Sequence, residues 1–172
     1  MGLSFDAAFA AEFPSLHRYL ARRVGATAAD DLAAETFAVA YRNWDRLDPE
    51  RAVRPWLYGI AANLMRHHWR KERRMLRAYA RTGVDPVFAE DDDAVERADA
   101  DVRRRELAGM LAGLSRDERE ILLLHAWAGL TDTEIAETLG LPLGTMKSRF
   151  SRTREKLRNQ LGEVGQERVE AL

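Results

Sequence analysis

Apolar residues recur along this chain at spacings of three and four, the period of a helix with one buried face. Phe5, Phe9, Phe13, Leu16 and Leu20 form the first such stripe, with Ser4 placed to cap its start and Gly25 to end it. Pro14 falls inside the stripe and predicts a kink or break there. A second helix is expected from about Ala28 to Trp44, opened by Thr27, with Leu32, Phe37, Val39 and Tyr41 beside the acids Asp30, Asp31 and Glu35. Asp45 to Arg54, which contains Pro49, reads as a loop, and Pro55 suits the first turn of a long third helix reaching about Ala80. After Gly83 and Pro86 the chain turns acidic and poor in apolar residues, as a linker does. A helix from about Ala94 to Ala112 follows, its apolar side built from Leu107, Met110, Leu111 and Leu114. Ser115 and Glu118 then form a capping box opening a helix through Ala126. Neither a strand-length alternating run nor a solenoid repeat interrupts this pattern. The expected fold is all-α, two small helical domains joined by an acidic linker. Their boundaries are 1–80, 81–100 for the linker and 101–161, with a short tail at 162–172.

The segment Leu130 to Leu161 carries the sharpest signal. Thr131 and Glu134 make a second capping box, and Ile135, Ala136 and Leu139 give the short helix behind it one apolar face. Gly140 supplies the left-handed backbone of a sharp exit, and Pro142 fits the first turn of the next helix. That next helix carries Lys147, Arg149, Arg152, Arg154, Lys156 and Arg158 against one acid, Glu155, with Met146, Phe150 and Leu157 near its buried side. Two helices, a glycine turn and a cationic second helix are the parts of a helix-turn-helix DNA reader. An amphipathic hairpin with a solvated charged face is the plain alternative.

Charge changes the picture only when it is read locally. The 172 residues carry a formal net charge of −1, which by itself argues against a polyanionic partner. Yet Arg54, Arg66, Arg70, Lys71, Arg73, Arg74, Arg77 and Arg81 are opposed within their block only by Glu72. Asp85, Glu90, Asp91, Asp92, Asp93, Glu96, Asp99 and Asp101 follow, opposed only by Arg97. Two cationic blocks therefore flank an anionic one, and each can release counterions from a phosphate backbone. Composition adds exclusions. There is no cysteine, hence no disulfide or thiolate-metal site. No apolar run approaches the length of a membrane span, and no secretory pattern opens the chain, so no membrane insertion and a cytoplasmic location are expected. His67 and His68 are adjacent and cannot form an i,i+4 metal pair, and Asp91 to Asp93 lack the spacing of a calcium loop. With no phosphate-cradling glycine loop or nucleophile elbow either, no enzymatic activity and no cofactor are expected.

DDLAAETFAVAYRNW followed by RPWLYGIAANLMRHHWRKERR resembles the second-region domain of bacterial sigma factors. Ser115 to Leu161 resembles their fourth-region domain, with GLPLGTMKSRFSRTREKL as the recognition unit. Without a recognisable domain between them, the chain resembles the extracytoplasmic-function (ECF) class of the sigma-70 superfamily, from about Phe5 to Leu161. Two departures stand out. Thr131-Asp132-Thr133 replaces the Ser-Tyr-Glu-like opening common in the family, and Met146 replaces a frequent valine.

The resemblance implies three contact surfaces. Thr145, Lys147, Ser148, Ser151 and Arg152 would face the upstream, minus-thirty-five promoter element, with Arg149 and Arg154 as phosphate anchors that fix register. The loop from Leu47 through Arg51 to Arg54 would capture a flipped base of the minus-ten element, and Asn63 would help form the pocket, since its amide both donates and accepts. Arg66, Arg70, Lys71, Arg73 and Arg74 would track the opened strand. Trp56, Tyr58 and Trp69 at helical spacing fit core packing better than base stacking. Asp31, Glu35, Thr36, Arg42 and Asn43 would contact the clamp helices of the largest subunit of bacterial core RNA polymerase, above a buried Leu32 and Phe37. The C-terminal domain would dock on the flap of the second-largest subunit, and an anti-sigma factor is a further partner of the class. The acidic linker would either be a plain spacer or follow the positively lined path inside the polymerase; either way it tethers two modest binders. The competing function is a stand-alone helix-turn-helix regulator on an operator, but no dimer helix is apparent and the first basic block would then have no role.

Overall fold

Capping chemistry sets most helix boundaries in the computed structural model, which describes residues 4–48, 52–66, 68–83 and 97–170. Helix α1 (Phe5–Val24) starts where the Ser4 hydroxyl accepts from the Ala7 N–H and stops at Gly25. Pro14 lies inside α1 without dividing it. The ring sits on an exposed side of the helix, where water can satisfy the carbonyl deprived of its donor. Helix α2 (Ala26–Arg42) runs into a 3₁₀ turn at Trp44–Arg46.

The expected single third helix is two helices, α3 (Val53–Met65) and α4 (Trp69–Thr82). Short-range turns, Arg66 N–H to Asn63 O at 3.2 Å and His68 N–H to Met65 O at 2.8 Å, close the junction. Helices α5 (Arg97–Gly113), α6 (Arg116–Ala126), α7 (Asp132–Leu139) and α8 (Leu143–Glu170) complete the chain. Leu107, expected inside on α5, is exposed, and Ala108 takes the buried position. Helix α8 passes well beyond Leu161, so the expected tail begins as part of this helix. The acidic residues from Asp85 to Glu96 lie outside the described residues. All described elements are helical or turn, as an all-α reading requires.

Both capping boxes form. Ser115 Oγ accepts from the Glu118 N–H and the Glu118 carboxylate accepts from the Ser115 N–H; Thr131 and Glu134 repeat the arrangement. Burial alone would raise the Glu118 carboxyl, but its bonds to Ser115 and the nearby Lys156 ammonium hold it below its ordinary value of 4.5. A depressed carboxylate stabilises the fold above its unfolded-state value and loses that contribution as pH falls through the folded-state value. Glu118→Gln should therefore cost about 0.3–1 kcal/mol at neutral pH, with the difference vanishing in acid. Denaturant unfolding of both chains between pH 7 and pH 3 checks this.

The two halves share one core. Leu16, Tyr19, Leu20, Leu57, Tyr58 and Met65 from α1 and α3 are continuous with Leu111 of α5, Leu114 of the turn after it, and Ile121 and Leu124 of α6. Helix α5 lies along α4, and α7 lies against α3. Sequence pattern predicted two tethered lobes; in the structure the lobes are docked.

Candidate nucleic-acid and polymerase interfaces

The helix-turn-helix is built as its caps require. Gly140 closes α7 in the left-handed region at φ 64°, ψ 35°, and the Leu141 N–H reaches back to the Ala136 carbonyl at 2.9 Å. That pairing satisfies carbonyls a helix end leaves orphaned and throws the chain into α8. Pro142 precedes α8, and its carbonyl accepts the first bond of the helix from the Met146 N–H. Ile135 and Met146 are fully buried beneath the motif. Phe150 packs against His125 with ring centroids 4.7 Å apart, seating α8 over α6.

With Met146 and Thr153 turned inward, Thr145, Lys147, Ser148, Ser151, Arg152 and Arg154 are all exposed on α8. Arg152 lies along the same face as Ser148, its Nε donating to the Ser148 carbonyl at 3.4 Å. Arg149 is set apart. It is half-buried and pairs with Asp117 at 3.2 Å, so its guanidinium already has an anion. Lys156 is likewise paired with Glu118, at 3.4 Å.

In the first half, Arg70, Arg74, Arg77 and Arg81 recur at helical spacing along the exposed side of α4, with Lys71 beside them. The opposite side carries Glu72 and Tyr79, both buried. Arg73 is partly buried, with its guanidinium over the Trp69 ring at 5.4 Å from the centroid. It therefore sits away from the exposed row. Asn63 and Arg66 are exposed at the end of α3 and joined, Arg66 donating to the Asn63 amide oxygen at 2.7 Å. Leu47 follows the 3₁₀ turn and is partly buried, whereas Arg51 lies outside the described residues. Arg54 donates to the Ala128 carbonyl at 2.5 Å and lies 3.6 Å from Glu12. Tyr58 is fully buried and Trp56 packs against the core, which fits the core reading of these aromatics.

On α2, Asp31, Glu35 and Arg42 lie on one exposed row, spaced by four, three and four residues with Ala38 between. Thr36 departs from the expectation. It is fully buried, and its hydroxyl donates to the Leu32 carbonyl at 2.7 Å, so it supports the helix from below and offers no surface to a partner. Asn43 is partly buried and donates to the Val39 carbonyl at 2.8 Å. Phe37 is buried beneath the row, while Tyr41 stays 68% exposed, its ring edge-on to Phe5 at 5.0 Å.

Sequence reasoning did not find the polar cluster between the halves. Arg23, on the last turn of α1, bridges Glu72 of α4 at 2.9 Å and Glu120 of α6 at 2.7 Å. Tyr19 donates to the same Glu120 oxygen at 2.9 Å. Arg119 reaches Glu72 at 3.4 Å and donates to the Leu111 carbonyl at 2.9 Å. Arg23, Glu72, Arg119 and Glu120 are all buried. Burial opposes charge on Arg23, but Glu120, Tyr19 and Glu72 outweigh it and raise its affinity for the proton. For Arg119 burial dominates and lowers it, with Glu72 opposing. Burial also pushes the Tyr19 hydroxyl well up, which keeps it protonated as a donor. A charged residue in phase with an apolar stripe was the available signal: Arg23 falls on the Leu16–Leu20 face, and Glu72 on the Trp69–Leu76–Tyr79 face.

Fold and surface together define a two-lobed, helix-turn-helix DNA-binding protein. Residues 8–75 match the family model of sigma-70 region 2, and residues 104–157 match that of sigma-70 region 4. The ECF RNA polymerase sigma factor SigC of Mycobacterium tuberculosis is 33% identical over 156 residues, covering 91% of this chain and 82% of the relative. The RNA polymerase sigma factor CarQ of Myxococcus xanthus is 35% identical over 164 residues, covering 94% and 91%. A solved structure of CnrH, in complex with the cytosolic domain of CnrY, superposes with a TM-score of 0.66 at 27% identity, covering 92% of this chain and 88% of that one. The chain belongs to the sigma-70 family, as an ECF sigma factor of transcription initiation.

Proposed function

We propose that this sigma factor divides promoter recognition between its lobes, with α8 on the minus-thirty-five element and α3–α4 on the minus-ten element, while the exposed row of α2 holds core polymerase. The carrying observation is the segregation of exposed polar side chains on α8: Thr145, Lys147, Ser148, Ser151 and Arg152 point outward, while Met146 and Thr153 anchor the same turns inside. A helix fixed by apolar anchors and free on its polar side is what major-groove readout needs. Arg154 serves as a phosphate anchor; Arg149 would have to exchange Asp117 for a phosphate.

For the minus-ten element, Asn63 and Arg66 act together at the end of α3, and Arg70, Lys71 and Arg74 follow the strand along α4. Leu47 and Arg54 complete the surface on the chain entering α3, Arg51 of the same loop lies outside the described residues, and Arg73 contributes by holding Trp69. Asp31, Glu35 and Arg42 set orientation on the clamp helices of the largest polymerase subunit, with Asn43 at the edge of the row. The C-terminal lobe docks on the flap of the second-largest subunit, and the acidic linker tethers the two lobes. A further protein partner fits this reading, since the CnrH structure holds the cytosolic domain of CnrY, and the family resemblance makes that partner an anti-sigma factor. No described helix is long and apolar enough to cross a membrane.

Asn63→Ala tests the minus-ten assignment. In reconstituted holoenzyme it should change base preference at the minus-ten element and leave core affinity intact. Selection from a randomised minus-ten library, beside a core-binding titration, reads both. An unchanged preference, or a loss of core binding, would remove Asn63 from the role.

A further inference from the structure

Asp132, in the first turn of α7, is a charge that the promoter contacts leave unexplained. It is partly buried, and no cation lies within ion-pair distance of it among the described residues. Asp132 lines a cleft between α7 and α8 together with Lys147, Ser151, Arg154 and Arg158. Those four are exposed and recur at intervals of four, three and four, so they form one row along α8. Phe150 lies in the same cleft with the Arg154 guanidinium over its ring, 5.7 Å from the centroid, which keeps Arg154 on this side. Glu155, the second acid of the cleft, has Arg152 and Arg158 three residues away on either side along its own helix. Helix α7 offers Asp132 no such relief, since it carries Asp132, Glu134 and Glu137 and no cation. An acid in a first turn also stabilises its helix, but Glu134 already completes the capping box with Thr131. In the Ser-Tyr-Glu-like opening the acid stands one residue later, where this chain has the exposed Thr133. A shift of one residue turns a side chain about 100° around the helix, and here it brings the carboxylate into the cleft.

We propose that Asp132 is an electrostatic brake on the upstream-element interface, holding the affinity of the C-terminal lobe for any duplex below what the α8 cations alone would give. A duplex seated so that Lys147 and Ser151 reach base edges brings its phosphates to Arg154 and Arg158, and so past Asp132. Each phosphate there meets a fixed like charge beside a protein wall, where repulsion is stronger than in open water and fades with salt. The penalty falls on every sequence, because every duplex carries the same phosphates. Its value lies in discrimination. A lobe that saturates on any DNA cannot choose among sites, whereas one held near its threshold engages only where base contacts add their share.

The brake rests on the reading of α8 as the upstream-element helix, and its test keeps the two separable. Holoenzyme reconstituted with full-length chains is titrated with labelled duplex carrying the upstream element, matched or with one base pair changed, across a salt series. Asp132→Asn should tighten both duplexes alike, by roughly three- to tenfold at about 0.1 M salt, and steepen the salt dependence by about one unit of slope. Asp132→Glu keeps the charge and should stay within about twofold of the parent chain. Glu137→Gln removes an acid from the same helix, but Glu137 lines a separate cleft with Gly59 and Asn63 of α3, and its loss should leave binding unchanged. Urea unfolding of the same chains reads any helix-stabilising role apart from DNA. A lower unfolding midpoint without tighter binding would leave Asp132 a helix-stabilising acid and overturn the proposal. An equal gain for Glu137→Gln would reduce the effect to net charge, and a change at one base pair alone would make Asp132 a base reader; each overturns it too. Arg152→Ala and Arg154→Ala complete the titration. If they weaken binding while Asp132→Asn leaves it unchanged, the brake falls and α8 stays the reader; if neither weakens binding, both readings fall.

Discussion

Arg23→Ala is expected to cost about 3–5 kcal/mol of folding stability, the largest effect of any single side chain outside the apolar core. The guanidinium is buried and satisfies carboxylates on two other helices, Glu72 and Glu120, while also donating to Tyr19 at 2.6 Å. Its removal strands two carboxylates away from water, of which Glu72 keeps Arg119 and Glu120 keeps the Tyr19 hydroxyl. Lysine should not restore the site, since a point charge cannot span the fork that reaches Glu72 through Nε and Nη2 and Glu120 through Nη1. Arg23→Ala with Glu120→Gln should recover part of the loss by removing one stranded charge. Urea unfolding of the four chains decides: a loss below about 1 kcal/mol, typical of surface ion pairs, would show that the cluster is solvated in solution.

Arg152→Ala should weaken binding to the minus-thirty-five element by about 1–3 kcal/mol and relax preference at the base it reads. Arg154→Ala should act differently. A phosphate anchor carries no sequence information, so its loss should weaken all upstream sequences alike and lower the salt dependence by about one unit of slope. Both follow from exposure on the same helix, and competition binding with the holoenzyme across a salt series separates them. A uniform loss for Arg152→Ala would reassign it to the backbone.

Local chemistry made much of this legible beforehand. The Ser115–Glu118 and Thr131–Glu134 boxes and the Gly140 exit depend on residues within one turn of each other, so their sequence spacing is already their geometry. Features set by tertiary packing were hidden. Met65, Trp69, Glu72, Leu76 and Tyr79 keep one helical phase across the junction of α3 and α4, so periodicity held no sign of the break. Pro14 does not break α1 for the opposite reason: the missing donor matters most where water cannot replace it, and exposure is not a local property. The resemblance puts Thr36 on the polymerase side, but a hydroxyl that bonds the preceding turn can be buried at little cost.

The polar seam was the largest omission, and its cause is specific. Along the sequence Glu72 is a lone acid in a basic block. Its partners Arg23 and Arg119 lie 49 and 47 residues away. Apolar faces on α1, α3 and α6 each look sufficient for a small lobe, so nothing in the pattern required the lobes to meet. The exposed rows on α2, α4 and α8 were legible, since exposure at helical spacing follows from period alone. Assigning them to polymerase, strand and duplex needed the family resemblance.

Promoter-directed initiation by reconstituted holoenzyme tests the central claim most directly. Full-length chain added to bacterial core polymerase on a library of linear promoters should yield transcripts from defined start sites, each preceded by paired upstream and minus-ten elements. A folded chain that binds DNA unaided but neither joins core polymerase nor sets a start site would contradict the account.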